Sequence, residues 1–329
     1  MKKALKITLF AVGIVIVLAG GGLAYLFTAF PKVSDAPDMK VAATPELIER
    51  GRYLANHVSV CIDCHSTRDW SFYSGPIASG TEGKGGEKFD KETAGVPGTI
   101  FAPNITPANL GKWTDGEIYR AITSGVNKDG DALFPIMPYP AYSKMDPEDV
   151  KAIIAYIRTM HPIEGEYPRH DLNFPLNLIV RTIPGDPQPM KIPAKEDVIN
   201  YGKYITTIAA CGDCHTPAEK GTPIEGMEFA GGFEFKAAIG TIRSANITPD
   251  KQTGIGSWTE DMFVARFKAY QNQETGAHKW MPGTPQTVMP WTMYAGMEDY
   301  DLRAIYKYLL TLKPVNHPVN KFSAAKAAM

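Results

Sequence analysis

Lys2, Lys3 and Lys6 lead into an uncharged, largely apolar run over residues 7–30, and those 24 residues would extend about 36 Å as a helix. That length crosses a bilayer core with some tilt. Lysines ahead of the run keep the N-terminus cytoplasmic by the positive-inside rule, so the rest of the chain is expected outside. Gly22-Leu23-Ala24 offers the small-residue spacing of a signal-peptide cleavage site. The run continues past it to Phe30, so residues 1–32 are read as an uncleaved transmembrane anchor.

Beyond residue 40 the apolar positions fall at helical spacing. Thr44 followed by Pro45 starts a helix running toward Val58. Gly51 lies inside it, where glycine costs about 1 kcal/mol against alanine. Close approach of a second helix, the one carrying Tyr156, would explain that glycine. Thr114 and Glu117 have capping-box spacing for a middle helix ending near Gly125. Asp146-Pro147-Glu148-Asp149 opens a last helix with Val150, Ile153, Ile154 and Ile157 along one side. No run sustains strand alternation, so a mostly α fold is expected.

This pattern occurs twice, with a period near 150 residues. Gly51-Arg52-Tyr53-Leu54 returns as Gly202-Lys203-Tyr204-Ile205, and Gly98-Thr99-Ile100 as Gly240-Thr241-Ile242. Asn104-Ile105-Thr106-Pro107 is repeated letter for letter at Asn246-Ile247-Thr248-Pro249. Trp113-Thr114 matches Trp258-Thr259, and from Met137-Pro138 and Met289-Pro290 onward the copies run without a gap at an offset of 152. The second copy's helices are expected to start near Ala194, Thr259 and Glu298. The spacing gives an anchor (1–32), a first domain (40–165), a Pro-rich connector (166–193), a second domain (194–318) and a frayed tail (319–329). Proline density makes the connector stiff and extended. Its apolar stretch at 174–180 either packs between the domains or forms a local cluster.

Net charge is −1, so charge supports no nucleic-acid partner. The four cysteines change the picture more. All lie in Cys61-Ile62-Asp63-Cys64-His65 and Cys211-Gly212-Asp213-Cys214-His215. C-x-x-C-H is the attachment signature of c-type haem. From this composition a single chance occurrence is expected about 0.001 times. A disulfide framework needs no histidine after each pair, and zinc would need a fourth ligand from elsewhere. Two covalently attached haem c groups are therefore expected, on Cys61, Cys64, Cys211 and Cys214, with His65 and His215 on the irons.

The second axial ligand is read from the repeat. Met137 follows His65 by 72 residues and Met289 follows His215 by 74, each ahead of a proline and a last helix. A thioether favours reduced iron and raises the potential, which suits electron transfer. Met145 and Met297 also match, but their position suggests packing of the last helix. Met281 has no twin. His57, His161, His170, His278 and His317 do not pair across the repeat, so ordinary structural roles are expected; His278 is noteworthy because it lies eleven residues before Met289. Trp113 and Trp258 suit either a hydrogen bond to a haem propionate or a core position with the indole N–H on a carbonyl. Asn-x-Thr also fits a glycosylation sequon, weakly, given the following proline.

The order C-x-x-C-H, Gly-Thr-Ile, Asn-Ile-Thr-Pro, Trp-Thr, Met-Pro, last helix resembles the class I cytochrome c domains of bacterial membrane-bound multihaem cytochromes. It is similar above all to the cytochrome c subunits of periplasmic alcohol and gluconate dehydrogenases, over roughly residues 45–317. The resemblance implies three helices around each haem, with His65 and Met137 on one iron and His215 and Met289 on the other. Those subunits typically carry three haem motifs, whereas this chain has two. The expectation is a dihaem electron carrier rather than an enzyme, held in the bacterial inner membrane with its haem domains in the periplasm. Its redox partners would be a dehydrogenase, a quinol-oxidising complex or a terminal oxidase. A dihaem peroxidase or thiosulfate-oxidising cytochrome would need an open axial position. A docking subunit of a periplasmic dehydrogenase is the third reading.

Overall fold

The computed structural model describes residues 2–219, 221–237, 239–271 and 278–325, with Lys2 described by its backbone alone. Helix α1 (Lys2–Ala29) is long and apolar enough to cross a membrane, with mean hydropathy 2.4, and none of its most apolar window is buried by the rest of the chain. The first half follows with α2 (Pro45–Tyr53), α3 (Asp115–Ser124) and α4 (Pro147–Thr159). The second half holds α5 (Val198–Ile208), α6 (Glu260–Lys268) and α7 (Asp299–Leu309).

Local chemistry sets these ends. The Thr44 hydroxyl accepts from Leu47 N–H with Pro45 in the first turn. Thr114 and Glu117 close a reciprocal capping box, and α3 ends at Gly125 in the left-handed region, φ 71°. Asp146 caps α4 through Glu148 N–H, and Thr259 caps α6 through Met262 N–H. Helix α5 starts later than its expected position near Ala194, because the Asp197 carboxylate accepts from Asn200 N–H and supplies the cap.

First and last helices cross in each half with no room for a side chain. A Cβ on Gly51 would collide with the Ala152 carbonyl, and one on Gly202 with the Ala304 carbonyl. The expected neighbour of Gly51, Tyr156, is there too, its Cβ 2.9 Å from where a Gly51 Cβ would stand.

The helix expected to reach Val58 changes its winding at the end. Gly51 precedes Cys61 by ten residues, but Gly202 precedes Cys211 by nine. The extra residue is taken up by a π turn over Leu54–Val58, with Ser59 N–H bonded to Leu54 C=O at 2.8 Å. Both cysteine turns then start from the same conformation, Val60 at φ 44° and Ala210 at φ 52°.

Two three-stranded antiparallel sheets, and a two-stranded ribbon pairing Ala218–Glu219 with Thr222–Pro223, were not legible from alternation, because each strand has only two to four residues. In the first, β1 (Lys88–Asp90) pairs β2 (Gly98–Phe101) with Phe89 opposite Ile100, and β2 pairs β3 (Asp171–Leu172). In the second, β4 (Glu234–Ala237) pairs β5 (Gly240–Arg243), and β5 pairs β6 (Phe322–Ala324). The repeated Gly-Thr-Ile triplets are the central strands. Their third strands come from the connector in one half and from the C-terminal segment in the other. The tail is therefore ordered as far as this strand, and residues 326–329 lie outside the described residues.

The connector is not simply extended. After β3 it makes a single helical turn at Leu176–Ile179 and a 3₁₀ turn at Val180–Thr182. Its backbone then bonds to Ser143 and Lys144 carbonyls through Gln188 and Met190 N–H groups. Of the stretch 174–180, Val180 is buried while Phe174 is 78% exposed, so this segment does not fill a gap between the halves.

One hydrophobic core runs through both halves, joining Leu54, Val58 and Ile62 to Tyr204, Ile205 and Ile208. Buried carboxylates stitch it reciprocally. Asp149 takes a two-point contact from Arg50 (2.8 and 2.9 Å) and the Tyr204 hydroxyl from the other half at 2.7 Å. Asp301 takes Tyr201 at 2.9 Å and, from the other half, Tyr53 at 2.6 Å.

Gly202→Ala is expected to destabilise the protein by about 1–3 kcal/mol through overpacking at the helix crossing. Gly185→Ala, with nothing within 4 Å of the added methyl, should change stability by no more than about 0.5 kcal/mol. Urea unfolding followed by circular dichroism compares them.

Candidate haem-binding sites

Each C-x-x-C-H motif forms a short helical turn, Cys61–Cys64 in the first half and Cys211–His215 in the second. Cysteines three apart on such a turn share one side of it. None of the four cysteines is in a disulfide, and burial pushes Cys61 and Cys211 up to about 12. Both histidines are held alike. His65 Nδ1 is 2.7 Å from the Pro103 carbonyl oxygen, and His215 Nδ1 is 2.7 Å from that of Ala245. A carbonyl only accepts, so Nδ1 carries the proton and Nε2 keeps its lone pair. Burial lowers both imidazoles below their ordinary value and favours this neutral form.

Those carbonyls explain the repeated Asn-Ile-Thr-Pro motif, because Pro103 and Ala245 are the residues just before it. Asn104 Oδ1 accepts from the Thr106 N–H and hydroxyl, while its amide donates to Ile163 C=O. Asn246 does the same with Thr248 and Val315. The loop is thus pinned to the chain leaving the last helix, presenting one carbonyl to the imidazole. Both asparagines are buried with their side-chain oxygen and amide bonded, which excludes them as glycosylation acceptors in the folded chain. Gly85 and Gly231 close the arrangement: each donates its N–H to the carbonyl of the motif histidine, at 2.8 and 2.7 Å. Each sits at positive φ where a Cβ would strike the Asn loop's backbone.

Met137 and Met289 occupy matching turns. Tyr139 N–H bonds Met137 C=O at 2.7 Å, Trp291 N–H bonds Met289 C=O at 2.8 Å, and Pro138 and Pro290 lead into the short helices Tyr139–Tyr142 and Trp291–Tyr294. Both methionines are half-buried at the edge of the core. Met145 and Met297 are fully buried, as their packing role requires, and Met281 is exposed. Trp113 and Trp258 both pack against the core, and neither has its indole N–H on a carbonyl among the described residues. The remaining histidines have structural contacts or lie at the surface. His57 bonds Met293 C=O, His317 bonds Ala230 C=O, His170 accepts from Phe101 N–H, and His278 stacks on Tyr73 at 4.9 Å. His161 is exposed.

One functional feature was missed from the sequence. The loop between His65 and Gly85 is four residues longer than its counterpart between His215 and Gly231, and it reaches across to the other half. Asp63, inside the first motif, pairs with Arg68 at 3.2 Å, both buried. Arg68 lies 4.1 Å over the Trp70 ring and donates to the Ser74 and Gly75 carbonyls. Ser74, fully buried at φ 68°, then donates from its hydroxyl to Met289 C=O at 2.5 Å and accepts from Trp291 N–H at 3.1 Å. Gln286 fastens the same loop through Ser74 N–H and Phe72 C=O. The four-residue length difference was the available signal, but it did not reveal where the loop would land.

Residues 199–313 match the family model for cytochrome c. This segment is a cytochrome c domain, and such a domain implies covalent haem c with its iron and an electron-transfer use. The chain is 29% identical over 307 residues to the cytochrome c subunit of a quinone alcohol dehydrogenase from Gluconacetobacter polyoxogenes, covering 89% of this chain and 60% of that subunit. It is 32% identical over 280 residues to a fructose dehydrogenase cytochrome subunit from Gluconobacter japonicus, covering 80% and 52%. A diheme cytochrome c-type protein of Cereibacter sphaeroides is 29% identical over 248 residues, covering 73% and 79%. The similarity to dehydrogenase cytochrome subunits drawn from the motifs therefore holds. The chain spans only 52–60% of the length of the two dehydrogenase subunits.

Ser74→Ala is expected to remove the buried hydroxyl that donates to Met289 C=O and so loosen the turn there, lowering stability by about 1–3 kcal/mol. Thermal unfolding measures this, with Ser74→Thr retaining the hydroxyl as the control.

Proposed function

We propose that this chain is a dihaem c-type cytochrome, anchored by α1 with two tandem class I cytochrome c domains in the periplasm. It would relay electrons from a dehydrogenase or quinol-oxidising complex to a terminal acceptor. The observation that carries the reading is the duplicated histidine geometry. In both halves a carbonyl holds the Nδ1 proton and leaves the Nε2 lone pair available beside two cysteines on one helical turn. Cys61, Cys64, Cys211 and Cys214 would hold the porphyrins by thioether bonds. His65 with Met137, and His215 with Met289, would ligate the irons. Bound haem c supplies a one-electron couple. The chain's own residues fix the imidazole tautomer and, through Trp113 and Trp258, would offer donors to the propionates. The second motif is the more open of the two, because Asp213 and Cys214 are exposed where Asp63 is buried under Arg68.

A dehydrogenase as donor is favoured by the named relatives, so this chain would serve as the cytochrome subunit of such a complex. Purification from membranes in mild detergent should recover it with a dehydrogenase subunit; recovery of the free cytochrome alone would count against a docking role.

Pyridine haemochrome analysis is expected to give two haems per chain. The oxidised protein should show the Met-to-iron charge-transfer band for both, whereas a high-spin haem binding cyanide readily would favour the peroxidase or thiosulfate-oxidising alternative. Met289→Ala should leave both haems attached while lowering the potential of one. An unchanged potential would move the axial ligand away from Met289.

A further inference from the structure

The connector between the halves carries an apolar surface that its expected role does not explain. Residues 172–183 contain one charged side chain, Arg181, and no acid. Phe174 is 78% exposed, Ile179 49% and Ile183 39%. This surface lies beside the end of α1. Arg181 Nη2 donates to Phe30 C=O at 2.8 Å, and its guanidinium lies 5.0 Å over the Phe27 ring. Just beyond, the Ser34 N–H and hydroxyl both donate to the Asp186 carboxylate, at 2.7 and 3.1 Å. The connector turn is therefore tied at two points to the chain leaving the apolar helix.

That attachment sets its level. Tyr25 and Phe27 are exposed on the last turns of α1, and Tyr25 meets Phe30 edge-on at 6.1 Å. A tyrosine at the end of a membrane span, here Tyr25, marks the headgroup level. Whatever is fastened to Phe27 and Phe30 stands at that level too, and here it is a turn displaying a phenylalanine and two isoleucines.

We propose that the connector around residues 174–183 lies in the outer headgroup–acyl boundary of the bilayer, as a second membrane contact beside α1, with Arg181 clasping it to Phe27 and Phe30. This rests on the reading of α1 as a retained membrane span. The haem-bearing halves would then be held at a fixed tilt over the membrane instead of swinging on a single tether, because the connector bonds to both α1 and the Ser143–Lys144 backbone.

The test uses the full haem-loaded chain in nanodiscs of phosphatidylethanolamine and phosphatidylglycerol. These carry a phospholipid with a diazirine high on its acyl chain, and labelled peptides are mapped after irradiation. The expected result is label on α1 and on the peptide containing Phe174, Ile179 and Ile183. That second label should be lost in the F174S/I179S/I183S variant with both haem spectra unchanged. Label confined to α1 in the wild-type protein would overturn the proposal while leaving the anchor intact, and it decides the matter even if the variant does not fold. Connector label that persists in a folded variant also overturns it. So does connector protection that appears only when a dehydrogenase subunit is added, because the surface is then a protein interface. Absence of the α1 peptide from the purified chain would show cleavage, so that the anchor reading fails and this proposal falls with it. Haem content and the Met-to-iron bands report separately on the electron-carrier reading.

Discussion

Two carboxylates sealed inside the protein, Asp149 and Asp301, govern how the halves sit together. A hydrogen bond to a buried charged group is worth about 1.5–3 kcal/mol, and each carboxylate takes a phenol from the opposite half. Separating the halves would remove one such bond from each, leaving Asp149 with Arg50 and Asp301 with Tyr201. The exchange is reciprocal because the residues are repeat equivalents, Tyr53 with Tyr204 and Asp149 with Asp301. It is not identical, since Arg50 in the first half is answered by Tyr201 in the second. Asp149 therefore sits in an ion pair and Asp301 between two hydroxyls. The same phenols also accept backbone N–H groups at the starts of the last helices, Tyr53 from Glu298 and Tyr204 from Asp146. One set of contacts thus joins the halves and fixes the helices that cross Gly51 and Gly202.

With the halves locked, a local difference between them gains a long reach. The longer first loop carries Arg68 from the buried Asp63 to Ser74, and Ser74 ends on the Met289 turn. The first C-x-x-C-H motif is thereby connected, through an ion pair and three hydrogen bonds to backbone, with the candidate thioether of the other half. Around it Tyr73, Tyr270 and Trp291 stack in sequence, at 6.2 and 5.1 Å. No similar side-chain clamp reaches Met137 among the described residues. Two copies of one sequence pattern have therefore become unequal sites: the first motif is shielded by its own loop, and the second half's methionine turn is braced from outside.

The chemistry was legible because it depends on neighbouring residues in the chain. Cys61, Cys64 and His65, like Cys211, Cys214 and His215, reach one side of a helical turn through spacing alone. Caps at Thr44, Thr114 and Asp146 are local hydrogen bonds that residue type announces, and the glycine at 51 announced a crossing by being costly anywhere else. Misreadings arose where a local signal was weak or a distant partner decided. Asp197 outcompeted Ala194 as the start of α5. Strands of two to four residues are too short to show a period, and β3 and β6 form only because a repeated Gly-Thr-Ile strand offers them an edge.

By itself, then, the sequence determined the apolar N-terminal helix, the doubled helical pattern, the two cysteine–histidine turns and the matched methionines, since each is a property of spacing within a short stretch or of comparison between two stretches. Tertiary structure alone decided which carbonyl holds each imidazole, which phenol satisfies each buried carboxylate, and where the long loop and the connector come to rest. Those outcomes join residues from 30 to 248 positions apart. Chain spacing carries no record of such partners; burial selects them, because a polar group taken out of water must find a partner wherever the fold has brought one.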